Sequence, residues 1–170
     1  MKKTLAIILT SICLQAGAAD ITRLNAAEEM VKLGQHKKAH DEFVLMSNEG
    51  DSEAMHQLGI EYARGRGDTK VDNQKAIEWF SKSAMRGNKR AMTKLGLMHL
   101  EGRGTPQNAK EAMRWFQMAA DREDAHAHYI LSNERLNGTH LPHDLKLAYI
   151  HMSLAVRNQH PSALGKPERL

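Results

Sequence analysis

After residue 20 the apolar positions recur every three or four residues, the spacing of helices that bury one stripe. Ala54, Leu58 and Tyr62 share one such stripe, and Ala76, Phe80 and Ala84 share the next. Ala91, Leu95 and Met98 or His99 make a third; Ala112, Phe116, Ala119 and Ala120 make a fourth. Ala127, Leu131 and Leu136, then Ala148, Met152 and Ala155, complete the set. Strand-like alternation is absent, so the pattern predicts an all-α chain. Side chains able to cap a first turn precede the stripes: Asp72 or Asn73, Asn88, Asn108, Asp124 and Asp144.

The stripes also repeat. LGIEYARGRG at Leu58–Gly67 returns 37 residues later as LGLMHLEGRG at Leu95–Gly104. KAIEWFSKSA at Lys75–Ala84 returns 36 residues later as EAMRWFQMAA at Glu111–Ala120. Ala39, Phe43 and Gly50 each lie 37 residues before Ala76, Phe80 and Gly87, and Ala148 lies 36 after Ala112. One hairpin cannot bury its stripe alone, so a fixed period of this length predicts stacked hairpins with one continuous core. Four are expected, at about 21–50, 51–87, 88–123 and 124–158, within one array over 20–160. In the first, helices over about 21–33 and 37–48 flank a short turn at Gly34. Residues 159–170 read as a truncated cap, because Pro161 and Pro167 interrupt a helix.

The first nineteen residues fall outside this pattern. Lys2 and Lys3, an apolar run over Leu5–Leu14 and small residues at Ala16–Ala19 predict a secretory signal peptide, cleaved after Ala18 or Ala19. The run is shorter than the ~20 residues that cross a bilayer. The only cysteine, Cys13, lies inside it behind Ile12, where lipid attachment calls for a small residue. The mature chain is thus expected to be exported, to a periplasm or beyond, without a disulfide, and to be stable through packing alone. The full sequence has a formal charge of +4, which becomes +2 without the two leader lysines, and acids and bases are interspersed. No basic stripe supports nucleic-acid binding, and no second apolar segment supports membrane insertion.

Two kinds of glycine stand out. Gly59 and Gly96 sit mid-helix, where glycine costs ~1 kcal/mol against alanine, so a close helix approach is expected there. Gly65 with Gly67, and Gly102 with Gly104, fall between helices and are expected at positive φ. They do not form a phosphate loop, which needs a preceding strand, a lysine and a helix-opening Ser or Thr. Trp79–Phe80 and Trp115–Phe116 occupy equivalent positions and read as packing between units.

These residues carry a resemblance. Ala54-x3-LeuGly-x2-Tyr-x2-Gly-x-Gly, continuing to Ala76-x2-TrpPhe-x3-Ala84, resembles the Sel-one-like repeat (SLR), a relative of the tetratricopeptide repeat. The second unit departs only at His99, in place of the tyrosine. The third has Ser132 for the helix glycine and His151–Met152 for Trp–Phe. The first hairpin is more similar to a plain tetratricopeptide unit. The resemblance covers residues 22–160 and implies a right-handed α-solenoid whose members mostly hold other proteins. Among exported bacterial relatives it implies three roles: an envelope adaptor, an immunity protein that neutralises a toxin or an envelope enzyme, and a cell-wall-binding or hydrolase accessory. The cysteines linked to β-lactam binding in one subgroup are absent here.

Chemistry has few candidates. Six of the ten histidines follow residue 125: His126, His128, His140, His143, His151 and His160. His126 and His128 diverge on a helix, and a zinc site needs three or four converging ligands, so no metal is expected; histidines of this kind also suit pH sensing. Glu28–Glu29, and Glu49 with Asp51, sit near helix ends as caps. Nucleophile and metalloprotease motifs are absent, so neither an enzyme nor a cofactor is expected. The expected partner is a protein or peptide, held on the concave face by the first helix of each pair. The register assigns Glu53, His56 and Ile60 to that face, then Arg90, Thr93 and Leu97, then His126, Tyr129 and Asn133. Of these, Ile60, Leu97 and Tyr129 would be either exposed apolar or aromatic anchors or side chains partly buried by neighbouring helices.

Overall fold

The computed structural model describes residues 21–165. The leader reading, and Pro167 within the tail, lie outside the described residues. A helix over 21–32 (α1) is followed by α2 (His36–Glu49), α3 (Ser52–Arg64), α4 (Asn73–Met85), α5 (Lys89–Glu101), α6 (Ala109–Ala120), α7 (Ala125–Asn137) and α8 (Leu145–Arg157). No strand occurs among the described residues. Consecutive helices pack against one another, and the chain is an α-solenoid.

Local chemistry sets the helix starts. Asp51, Asp72, Asn88, Asn108, Asp124 and Asp144 stand just before α3 to α8, and each side chain accepts from the backbone N–H three residues on, at 2.7–3.0 Å. Those donors have no partner inside the helix, and each such cap is worth ~1 kcal/mol. The helix ends use left-handed glycines: Gly50, Gly65, Gly102 and Gly138 follow α2, α3, α5 and α7.

The mid-helix glycines mark the tightest contacts. A Cβ on Gly59 would stand 2.5 Å from the Phe80 ring, and one on Gly96 would stand 2.5 Å from the Phe116 ring. These two hairpins close by pressing a buried ring into the space left by a missing side chain. The last hairpin, α7 with α8, uses another solution. Ser132 replaces the glycine, its hydroxyl donates to the Ala148 carbonyl at 2.9 Å, and Met152 replaces the ring.

Two buried clusters result. One gathers Ala27, Ala39, Phe43, Met46, Ala54 and Leu58; the other runs from Ala76 and Phe80 through Leu95 and Phe116 to Leu131. Trp79 is half-buried against the first cluster, with the Lys82 ammonium 4.2 Å from its ring centre, and Trp115 is half-buried against the second. Leu136 corrects the stripe expected for α7, since its side chain is exposed. It follows Leu131 by five residues, which turns it off the buried face. The array closes on a turn over 161–165 with His160 buried beneath it.

Candidate partner-binding face

The nine residues assigned to the partner face are drawn from α3, α5 and α7, and they separate into two groups. Glu53, His56, Arg90, Thr93, His126 and Tyr129 form the seam between neighbouring units. Glu53 Oε1 meets Arg90 Nη2 at 2.7 Å and His56 Nδ1 at 3.1 Å, and its Oε2 accepts from Asn88 Nδ2 at 3.0 Å. Asn88 is the cap of the next unit and also donates to the Ser52 carbonyl. One unit on, the Thr93 hydroxyl donates to Asp124, again the next cap, at 2.9 Å. At the third, Tyr129 stacks on His160 with ring centres 4.4 Å apart, and His126 lies 5.2 Å from the same ring. Asp124 follows Asn88, and His160 follows Asp124, by 36 residues. Each of α3, α5 and α7 thus touches the cap position of the unit that follows it.

Two of these side chains are closed off within the seam. His56 and Thr93 are each only 3% exposed. Their stripe lies under the incoming cap, so the side chains serve the joint. His56 Nε2 is shielded and unpartnered, with the Phe80 ring 5.7 Å away. Tyr129 is half-buried by its stack. Burial favours the neutral Glu53 carboxyl, but the hydrogen bond and charge of His56, the Arg90 guanidinium and the Asn88 amide outweigh it and hold the group down at about 2.

Ile60 and Leu97 form the second group. They face one groove of about 120 Å³ between α3 and α5, with Ala63, Met98 and part of Phe80. Both are half-buried, their inner atoms packed on the core. The same groove holds Arg64, Lys94, Glu101 and Arg103. The Lys94 ammonium is pushed below its usual range, first by burial and then by the Arg64 and Arg103 charges. Asn133 is half-buried on α7, outside this groove.

Sequence reasoning missed Lys94. It sits between Thr93 and Leu97, one position off the assigned stripe, and a three- and four-residue spacing steps over it. The Asp51 and Glu28 carboxylates have structural duties: one caps α3, the other accepts from Gln57 at 2.9 Å. Glu29 pairs with Lys32, and Glu49 with Arg23. Among the described residues no three His, Cys, Asp or Glu side chains converge as a metal site, and no helix is long and apolar enough to cross a membrane.

A stack of helical hairpins with a groove between successive first helices defines a scaffold of the repeat class. The Sel1 repeat matches residues 52–88, 89–124 and 125–160. The chain belongs to the Sel1 repeat family. It is 36% identical over 126 residues to an uncharacterized protein of Neisseria meningitidis serogroup B, a match that covers 74% of this chain and 26% of that protein. It is 33% identical over 102 residues to the ERAD-associated E3 ubiquitin-protein ligase component HRD3B of Arabidopsis thaliana, covering 60% of this chain and 16% of that one. The chain thus spans about a quarter or less of the length of these relatives. The crystal structure of a Sel1 repeat protein from Oxalobacter formigenes superposes with a TM-score of 0.77 at 24% identity, over 82% of this chain and 57% of that one.

Proposed function

We propose that this protein is an exported adaptor of the bacterial envelope that holds a protein partner in the groove between α3 and α5. Sel1 repeats are in general non-catalytic modules for binding other proteins, and this chain carries three of them. The observation that carries the finer reading is the pairing of Ile60 and Leu97 across one groove beside Lys94. Lys94 has no hydrogen bond or ion pair within the described residues. Two apolar anchors flank a cation that forms no ion pair, with Glu101 the one carboxylate in the groove, so an apolar segment carrying an acidic residue would satisfy both. Apolar anchors supply affinity and the charge sets register.

The leader over residues 1–19 supports export. The test is capture of a stoichiometric partner from envelope extract by the mature chain and by Leu97→Asp. A partner retained by the parent and lost by the variant, at unchanged helicity, supports the groove. Equal capture by both removes it. A captured toxin or envelope enzyme whose activity falls on binding would assign the inhibitor role in place of the adaptor role.

A further inference from the structure

The joints between units follow one rule that the last joint breaks. At the first, Gly67 packs flush on His36; a Cβ there would stand 2.4 Å from the His36 Cβ. At the second, Gly104 packs on Asn73, with an added Cβ 2.6 Å from the Asn73 carbonyl oxygen. The register continues to Ala109 and His140, again 31 residues apart. Here the sizes are reversed, with a small residue on the helix and a large one on the loop. His140 turns toward α7, where its Nδ1 lies 3.0 Å from Glu134 Oε2. His140 and Ala109 both border open space. A cavity of about 430 Å³ opens there, within the ~300–1,000 Å³ usual for ligand sites.

Its lining departs from the repeat in the same direction. Ala109, Met113, Leu131 and Leu141 give an apolar floor. Lys110, Arg114 and Arg135 stand around it, where the preceding joint has Gln74, Glu78 and His99. No carboxylate lines it. Arg114 and His140 are paired with Glu111 and Glu134, but Lys110 has no partner within the described residues. Arg135 donates through Nη1 to the Pro142 carbonyl, while its Nε is shielded from solvent and unpartnered. A buried donor left unmade carries a cost that an incoming acceptor removes.

We infer that this cavity is a second binding site, for the carboxylate end of a partner peptide whose last side chain is apolar. The inference rests on the reading that the chain binds proteins. A C-terminal residue carries an anion and an apolar group on one Cα, which matches a fork-shaped cation beside an apolar floor.

The probes are acetyl-Gly-Gly-Leu with a free carboxylate and the same peptide amidated, titrated into the mature chain with amide and Arg135 Nε–H shifts recorded by NMR. Saturable shifts at Arg135 and Leu141 with the free acid, and none with the amide, are expected. Arg135→Gln should weaken binding about tenfold, and Lys110→Gln about threefold. Ala109→Phe, which fills the cavity from its helix side, should abolish the shifts at unchanged helicity. Equal shifts with acid and amide, no saturation, or undiminished binding by Lys110→Gln would overturn the site. Isocaproate binding as tightly as the peptide would overturn its assignment to a chain end. Leu97→Ala separates the two readings: it should weaken the groove's partner and leave the tripeptide shifts intact. A silent tripeptide beside Leu97-dependent partner capture removes this cavity alone.

Discussion

The Nδ1 atoms of His128 on α7 and His151 on α8 lie 3.0 Å apart. At that separation one nitrogen must donate and the other accept, so in the neutral pair the two rings hold different tautomers, and protonating both would set two donors against each other. In the preceding unit the equivalent positions carry Met92 and Trp115. The last hairpin carries a titratable pair where the preceding one has two members of its apolar cluster.

Acidification should therefore loosen the last hairpin first. Burial pushes both histidines below their usual value of 6.5; Arg157 adds to this for His128, and His128 and Arg135 add to it for His151, against Asp121, Glu123 and Asp124. A base depressed in the folded state takes up protons more readily when unfolded. Its stabilising contribution is complete above 6.5 and is lost as pH falls through 6.5 toward the lower folded values. Hydrogen exchange at pH 7.5 and 5.5 should show α7 and α8 losing protection before α3 to α6. Replacing the pair with His128→Met and His151→Trp should flatten that pH dependence; a slope unchanged by the double substitution would assign it elsewhere.

Glu53 should give a second and lower transition. Its carboxyl lies at about 2, below the ordinary 4.5, so its stabilisation is complete above 4.5 and is lost as pH falls toward 2. The side chain is 18% exposed, which leaves a contribution on the order of 3 kcal/mol at neutral pH. Glu53→Gln should lower the melting temperature at pH 6 and bring it nearer the parent at pH 2.5. A constant difference across that range would mean that the residue acts through shape alone.

The repeat was legible because its causes are local. A stripe of apolar residues, a capping Asn or Asp and a glycine at a left-handed stop all reveal themselves within a few positions, as Asn88, Leu95 and Gly102 do. The close approach at Gly59 and Gly96 could also be read, since a mid-helix glycine has a cost that only packing offsets. The partner face was harder. Helical register tells which side of α3 or α5 a residue occupies, but not that the next unit's cap crosses over His56 and Thr93. That crossing depends on how far one hairpin is rotated on another, which the spacing of residues does not encode. The cavity at α6 was hidden for a related reason, because Ala109 and His140 are unremarkable until set against His36–Gly67 and Asn73–Gly104.

Gly96→Ala should destabilise the chain although alanine is the better helix former. The added methyl meets the Phe116 ring at 2.5 Å. Overpacking a rigid ring costs ~1–3 kcal/mol, against ~1 kcal/mol gained in propensity. The last hairpin shows how the conflict can be relieved. Gly96→Ser combined with Phe116→Met copies Ser132 and Met152, and the pair should lose less stability than the two single changes summed. Strict additivity in urea denaturation would show that the ring and the glycine are not coupled.

The seam and the groove can be told apart on one helix. Thr93 and Leu97 are a single turn apart on α5, yet Thr93 is spent on the Asp124 cap while Leu97 borders open space. Thr93→Val keeps the shape but removes the hydroxyl that Asp124 accepts from, which should cost about 1–3 kcal/mol because the carboxylate is itself buried. Partner affinity, measured well below the melting temperature, should not change. Leu97→Ala should do the reverse, with a modest effect on stability, since the side chain is only partly enclosed, and a clear loss of binding. If Thr93→Val weakens the partner as much as Leu97→Ala does, the seam is part of the docking surface and the division drawn between the two groups fails.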